Sequence, residues 1–156
     1  MTTKKEQNAA GEAPARLETQ LCFAIYGAAH ALTRTYKPLL EPLGLTYPQY
    51  LVMLVLWEED DQPVRAIGER LGLDSGTLSP LLKRLEQGGL LSRVRDSQDE
   101  RLVRISLTPK GHDLAAKAID VTRAIAAATQ CSLEEMEGLR DQLQALTGRL
   151  QKQPAG

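Results

Sequence analysis

Between residues 63 and 110 two short helical periodicities, a glycine-marked turn and a charged hairpin follow one another with almost no slack, and this order leaves few folds open. In Val64-Arg65-Ala66-Ile67-Gly68-Glu69-Arg70-Leu71 the apolar positions 64, 67 and 71 recur at three and four residues, which is one face of a helix. Gly72 tolerates the left-handed conformation at a helix end, and Asp74 is placed to cap the next helix through its carboxylate. Ser75 to Gln87 then sets Leu78, Leu81, Leu82 and Leu85 inward and leaves Ser75, Thr77, Ser79, Lys83 and Arg84 outward. Gly88-Gly89 stops this helix, and Leu90–Arg95 and Arg101–Leu107 alternate as two short strands around a polar tip, Asp96–Glu100.

Helix, short turn, helix and charged hairpin, in that order, make a winged helix-turn-helix, with the second helix as the recognition helix. Two of its residues break local rules. Gly76 adds backbone entropy, and Pro80 removes the amide bond to the carbonyl of residue 76, a loss of about 3 kcal/mol in an ordinary helix interior. Either the helix start is shortened or distorted, or it is shaped for close approach to DNA, where hydroxyls and exposed amides meet phosphates and base edges; the second reading is preferred. Charge points the same way. Ser75 to Lys110 holds seven basic and four acidic residues, net +3, in a chain of net charge −1, so the remainder carries −4 and the positive field is confined to this stretch.

At this point a family resemblance enters. The run Arg95-Asp96-x-x-Asp99-x-Arg101-x-Val103-x-Ile105-x-Leu107-Thr108-Pro109-Lys110-Gly111 resembles the wing and following helix start of MarR-type transcriptional regulators. The stretch Leu73-Asp74-Ser75-Gly76-Thr77-Leu78-Ser79-Pro80-Leu81-Leu82-Lys83-Arg84-Leu85-Glu86 is more similar still to one branch, the organic hydroperoxide resistance regulators. The likeness covers about residues 17 to 150. It implies a mainly α (α+β) winged-helix homodimer that represses transcription, with double-stranded operator DNA as partner, an organic hydroperoxide as inducer, and no cofactor. Together with the outward residues noted above, it gives a DNA-binding set of Ser75, Gly76, Thr77, Ser79, Pro80, Lys83, Arg84, Arg93, Arg95, Asp99 and Arg101, with Arg101 entering or skirting the minor groove while Asp99 orients it.

The rest of the chain fits one domain of ordinary size among 156 residues. No apolar run approaches the length of a membrane span, and no apolar signal core follows the early lysines, so a cytoplasmic protein is expected. Residues 1–15 are polar and read as a flexible arm. Residues 16–62 hold the N-terminal helices: an apolar stripe at Leu17, Leu21, Ala24, Ala28 and Leu32 running through about Thr35, a short helical turn from Pro38 to Leu43, and a helix from the capping box Thr46-x-x-Gln49 through Trp57 that should send Leu51, Leu54 and Val55 into the core. After the winged region, 63–108, residues 109–152 give two helices, one capped by Thr108 and opened by Pro109, the other begun by Ser132-x-x-Glu135 with a seam at Met136, Leu139, Leu143, Leu146 and Leu150. Terminal helices with apolar stripes to cover suit a homodimer, which a palindromic operator also requires.

The two cysteines form neither a metal pair nor a disulfide framework, and His30 and His112 show no metal or catalytic pattern, so no metal site is expected. Read from its neighbours Leu21-Cys22-Phe23-Ala24-Ile25, Cys22 is a small core residue. The resemblance implies instead that Cys22 is the sensing thiol, with Tyr36 and Tyr47 at the family's spacing; a phenol hydroxyl donating to sulfur favours the nucleophilic thiolate. Tyr36 cannot reach Cys22 along one straight helix, where fourteen residues span about 21 Å, and the resemblance implies that Tyr36 and Tyr47 come from the opposite subunit. Tyr26, one turn from Cys22, either lines the same pocket or packs in the core. Cys131, by position a loop cysteine, is implied by the two-cysteine subclass to resolve oxidised Cys22 through a disulfide across the dimer. The function expected is sensing without turnover, so not an enzyme. Its competitors are a MarR-type repressor answering to a small aromatic acid and a thiol peroxidase using Cys22.

Overall fold

Four of the helices begin at a side chain that takes up a free amide, which is why they start where they do. The computed structural model describes residues 15–154, so the arm expected over 1–15 lies outside the described residues apart from Ala15. The chain falls into two compact units that divide between Arg34 and Thr35. In the first lie a 3₁₀ turn, Leu17–Thr19, and most of helix α1, Leu21–Leu40, which continues into the second. The second then runs through a 3₁₀ turn, Glu41–Leu43, and α2, Tyr47–Glu58; β1, Gln62–Pro63; α3, Val64–Leu71; α4, Ser75–Gln87; β2, Leu91–Arg95; β3, Val103–Leu107; α5, Pro109–Thr129; and α6, Leu133–Gln151. The fold is mainly helical with one small antiparallel sheet in the order β1-β3-β2.

The capping residues are the expected ones. Thr46 and Gln49 form a reciprocal box at α2, Asp74 accepts the Thr77 amide at 2.7 Å at α4, Thr108 accepts that of Gly111 at 3.1 Å at α5, and Ser132 and Glu135 form a second box at α6. Gly72 and Gly89 take the left-handed conformation, at φ +66° and +73°, where the chain leaves α3 and α4. The core of the second unit gathers Leu40, Tyr50, Met53, Leu56, Ile67, Leu78, Leu82, Leu85, Leu91 and Ile105, each at most 2% exposed.

The structure corrects four sequence expectations. The first helix does not end near Thr35 but runs through Pro38 to Leu40; the proline sits in the last turn, and its residue-34 acceptor lies on a face exposed to water. Along α2 the buried residues are Gln49, Tyr50, Val52, Met53, Val55 and Leu56, so of the expected inward set Val55 is buried and Leu51 and Leu54 are only half-buried, because the helix is packed on more than one side and its apolar pattern has little periodicity. Paired strands cover Leu91–Arg95 and Val103–Leu107, so Leu90, Arg101 and Leu102 belong to the turns. A third strand was not foreseen: Gln62 pairs with Ile105 and Pro63 with Arg104, two residues too short to show any alternation.

Backbone contact is closest where α5 meets the base of the hairpin. A Cβ added at Gly111 would lie 2.0 Å from the Leu90 carbonyl oxygen, which itself accepts the Thr108 amide at 3.1 Å. Trp57 Nε1 donates to the Gly111 carbonyl at 2.9 Å, bringing the end of α2 to the same point. Gly111→Ala should therefore destabilise the protein by about 3 kcal/mol, since the Leu90 carbonyl oxygen it would strike is backbone and cannot rotate away. Urea unfolding at fixed protein concentration measures this, and a variant within about 0.5 kcal/mol of wild type would show that the junction yields.

Candidate DNA interface and thiol site

Helix α4 buries Leu78, Leu82 and Leu85 and half-buries Leu81, while Ser75, Gly76, Thr77, Ser79, Pro80, Lys83 and Arg84 all stand exposed. Pro80 neither shortens nor divides the helix, which is continuous from Ser75 to Gln87. A Cβ at Gly76 would meet only Asp74 Oδ1, at 3.4 Å, so packing within the chain does not demand glycine there. The amide of Thr77, then its hydroxyl, holds the Asp74 carboxyl below the usual carboxylate range, which keeps an anion on the positive end of the helix.

The wing presents its cations unequally. Arg93 and Arg95 are both exposed, but Arg93 is tied to Glu86 of α4 at 2.7 Å. Arg101 has its backbone amide and Nε both donating to Asp99 Oδ1 at 3.1 Å, with Nη2 3.5 Å from Oδ2, yet its side chain is 90% exposed. This aims a guanidinium outward from a fixed base. Between the wing and the helix pair runs a groove of about 700 Å³, floored by apolar groups such as Val64, Leu78 and Leu102, and lined also by Ser75, Ser79, Arg93 and Arg101. Sequence reasoning missed one polar cluster behind the wing: Arg104 pairs with Asp61 at 2.9 Å and with Asp96 at 3.6 Å. The signal was there in the adjacent aspartates at 60 and 61, but nothing local ties them to a residue more than forty positions away.

Of the thiol-site residues, Cys22 and Tyr26 lie in the first unit and both are exposed; Cys22 is not a core residue of its own chain. The Tyr26 ring packs against His30 with centroids 4.3 Å apart. In the second unit Tyr36 and Tyr47 are brought together, centroids 4.8 Å apart, and Tyr36 lies 5.7 Å from Tyr50. Partial burial, reinforced by the neighbouring phenols, pushes the Tyr36 hydroxyl up to about 12 and raises that of Tyr47. Both therefore keep their protons at any neutral pH and are available as donors. Cys131 is half-buried in the joint after α5, its Sγ donating to the Thr129 carbonyl at 3.5 Å. Both cysteines are free, and among the described residues no group of His, Cys, Asp and Glu is arranged to hold a metal ion.

A family model for the transcriptional regulators SarA/Rot matches residues 34–118. The HTH-type transcriptional regulator TtmR of Methylorubrum extorquens is 51% identical over 137 residues, covering 88% of this chain and 70% of its own. The organic hydroperoxide resistance transcriptional regulator of Bacillus subtilis is 48% identical over 131 residues, covering 84% and 89%. Among solved structures, reduced AbfR bound to DNA superposes with a TM-score of 0.72 at 38% identity, covering 86% of this chain and 94% of its own, and disulfide-formed AbfR with 0.62 at 40%, covering 85% and 93%.

The tyrosine cluster gives a pH test. Tyr36 ionises at a higher pH in the folded chain than the ordinary value of 10.0, so folded and unfolded chains both keep its proton below pH 10 and the stabilisation is fully present there. Above pH 10 only the unfolded chain releases it, and stability falls until about pH 12. Tyr36→Phe should lose less stability over that window than wild type, as read by urea midpoints at successive pH values; parallel losses would place the cause elsewhere.

Proposed function

The chain belongs to the SarA/Rot family of MarR-like winged-helix transcriptional regulators, and we propose that within it this protein is a redox-sensing repressor that binds an inverted-repeat operator when reduced and releases it once an organic hydroperoxide oxidises Cys22. One observation carries the reading: an exposed thiol stands on a helix whose apolar residues Leu21, Phe23, Tyr26 and Leu32 are themselves exposed, in a relative of an organic hydroperoxide resistance regulator. Helix α6 has no buried residue, although Leu139, Leu143 and Leu150 share its apolar seam. Apolar surface of this extent asks for a partner, and a second copy of the chain is the partner that a two-fold operator needs.

In such a dimer the partner's copies of residues 36 and 47 supply phenol donors to Cys22, which favour its thiolate. The thiolate attacks the outer oxygen of the hydroperoxide; an S–O bond forms, the O–O bond breaks, and the departing alkoxide takes a proton and leaves as an alcohol. Sulfur is oxidised to sulfenic acid and the peroxide is reduced. The thiolate of Cys131 of the opposite subunit then attacks the sulfenic sulfur, forming the disulfide and releasing the hydroxyl as water. Drawing the two chains together alters the separation of the recognition helices, which must lie about 34 Å apart to enter successive major grooves. Each Cys22 acts once per oxidation, so the chemistry is stoichiometric and the protein is not an enzyme. Its place of action is the cytoplasm, beside its DNA. No single described helix is long and apolar enough to cross a membrane.

On DNA, the outward residues of α4 read the major groove and Arg101, held by Asp99, meets the minor groove or its phosphates. Arg101→Ala should weaken operator binding and reduce the salt slope by about one; unchanged affinity and slope would remove it from the interface. For the sensor, Cys22→Ser should bind operator as wild type does but stay bound when cumene hydroperoxide is added, because a serine hydroxyl cannot form a sulfenic acid. Release at the wild-type dose would sink the sensor assignment. Non-reducing electrophoresis after stoichiometric peroxide should show a linked dimer that Cys131→Ser abolishes. Peptide mapping that finds Cys131 still a thiol once DNA is released would leave a one-cysteine mechanism.

A further inference from the structure

The turn between α2 and β1 holds two adjacent aspartates, and both reach across to β3 and its far end. Asp60 accepts the Leu107 amide at 2.8 Å and lies 3.2 Å from His112 Nε2. Asp61 stands in the left-handed region at φ +55°, which aspartate adopts more readily than most residues. There its carboxylate accepts Arg104 Nε at 2.9 Å and Ser106 Oγ at 3.3 Å, while its backbone carbonyl accepts Arg104 Nη2. The remaining nitrogen, Nη1, lies 3.6 Å from Asp96 Oδ2.

Asp96 in turn organises the wing tip. Its other oxygen accepts the amides of Gln98 and Asp99 at 2.8 and 3.2 Å, and its own amide donates to the Leu102 carbonyl at 2.8 Å. Asp99, fixed in this way, holds Arg101. A connected run of polar contacts therefore leads from the α2–β1 turn through Arg104, Asp96 and Asp99 to Arg101, whose side chain is 90% exposed. All three guanidinium nitrogens of Arg104 are committed to it. Two aspartates beside a DNA-facing hairpin repel phosphate, so their placement costs affinity unless they serve another end.

We propose that Arg104 is a positioning residue for DNA binding: clamped between Asp61 and Asp96, it fixes the wing tip against the body of the domain and so delivers Arg101, without touching DNA itself. The inference rests on the reading of Arg101 as a DNA contact. The charges it needs persist, since Arg104 holds the Asp61 carboxyl below the usual carboxylate range and the amides of Gln98 and Asp99 do the same for Asp96.

The test is operator affinity of reduced protein, by fluorescence anisotropy over a salt series, on a duplex that the wild-type protein selects from a random-sequence pool. Asp61→Asn keeps the side-chain shape and removes one negative charge. If the aspartate acted by charge alone, binding would tighten; positioning gives the opposite, a loss of about three- to tenfold with a salt slope that falls as it does in Arg101→Ala, by at most about one. In an Arg101→Ala background the same substitution should change affinity by less than about twofold, because no Arg101 remains to be delivered. Arg104→Gln should repeat this pattern. Binding by Asp61→Asn that tightens or stays the same overturns the proposal. So does an equal loss in both backgrounds, as general loosening of the fold would give, or a further fall in salt slope when Arg104→Gln is added to Arg101→Ala, as a direct phosphate contact by Arg104 would give. Arg101→Ala that binds as wild type does would overturn the underlying wing reading too, which tells the two failures apart.

Discussion

A carbonyl oxygen and a missing side chain set the geometry of the reading head. Because residue 111 is glycine, the first turn of α5 lies directly against the Leu90 carbonyl, and the hairpin that follows α4 is anchored at its base to the helix that follows the hairpin. Trp57 closes the junction from α2, and Thr108 and Lys110 close it from α5 by donating to the carbonyls of Gly89 and Gly88 at 2.6 and 3.0 Å. The hairpin is thus held at its root by backbone packing and at its tip by ion pairs. Exposed ion pairs are individually weak, so the root supplies stability and the tip supplies aim.

The second unit buries a complete core while its last helix keeps a row of leucines in water. These are separate statements about energy. The core residues make the winged domain fold, whereas the exposed row contributes little to the folding of a lone chain. In the proposed dimer, the spacing between two winged domains would change without disturbing either, since the leucines of α6 are not among the residues that hold the winged core together.

Most of this architecture was legible in the chain, and the reasons are local. Asp74, Thr108 and Ser132 announced helix starts because capping needs only a side chain and an amide three residues on. Gly89 announced the break before the hairpin because its φ of +73° suits little else. What escaped was non-local or too short. Strand β1 has two residues and exists only because Ile105 and Arg104 lie alongside it. The inward face of α2 was misjudged because a helix packed on several sides has no single stripe. At the sites, the outward residues of α4 followed from spacing and the Asp99–Arg101 pair from the family resemblance, whereas the bridge from Asp61 to Arg104 joins residues 43 positions apart and leaves no sequence period to find.

One feature of the second unit reaches beyond chemistry into optics. The rings of Tyr47, Tyr36, Tyr50 and Trp57 follow one another with centroids 4.8, 5.7 and 6.2 Å apart, and Trp57 is the chain's single tryptophan. Light absorbed by any of these phenols passes down the run to the one indole, whose emission then reports on the whole cluster. The phenols assigned to the sensor are thereby wired to an intrinsic fluorophore, so that events at Tyr36 and Tyr47 can be followed in real time without a label.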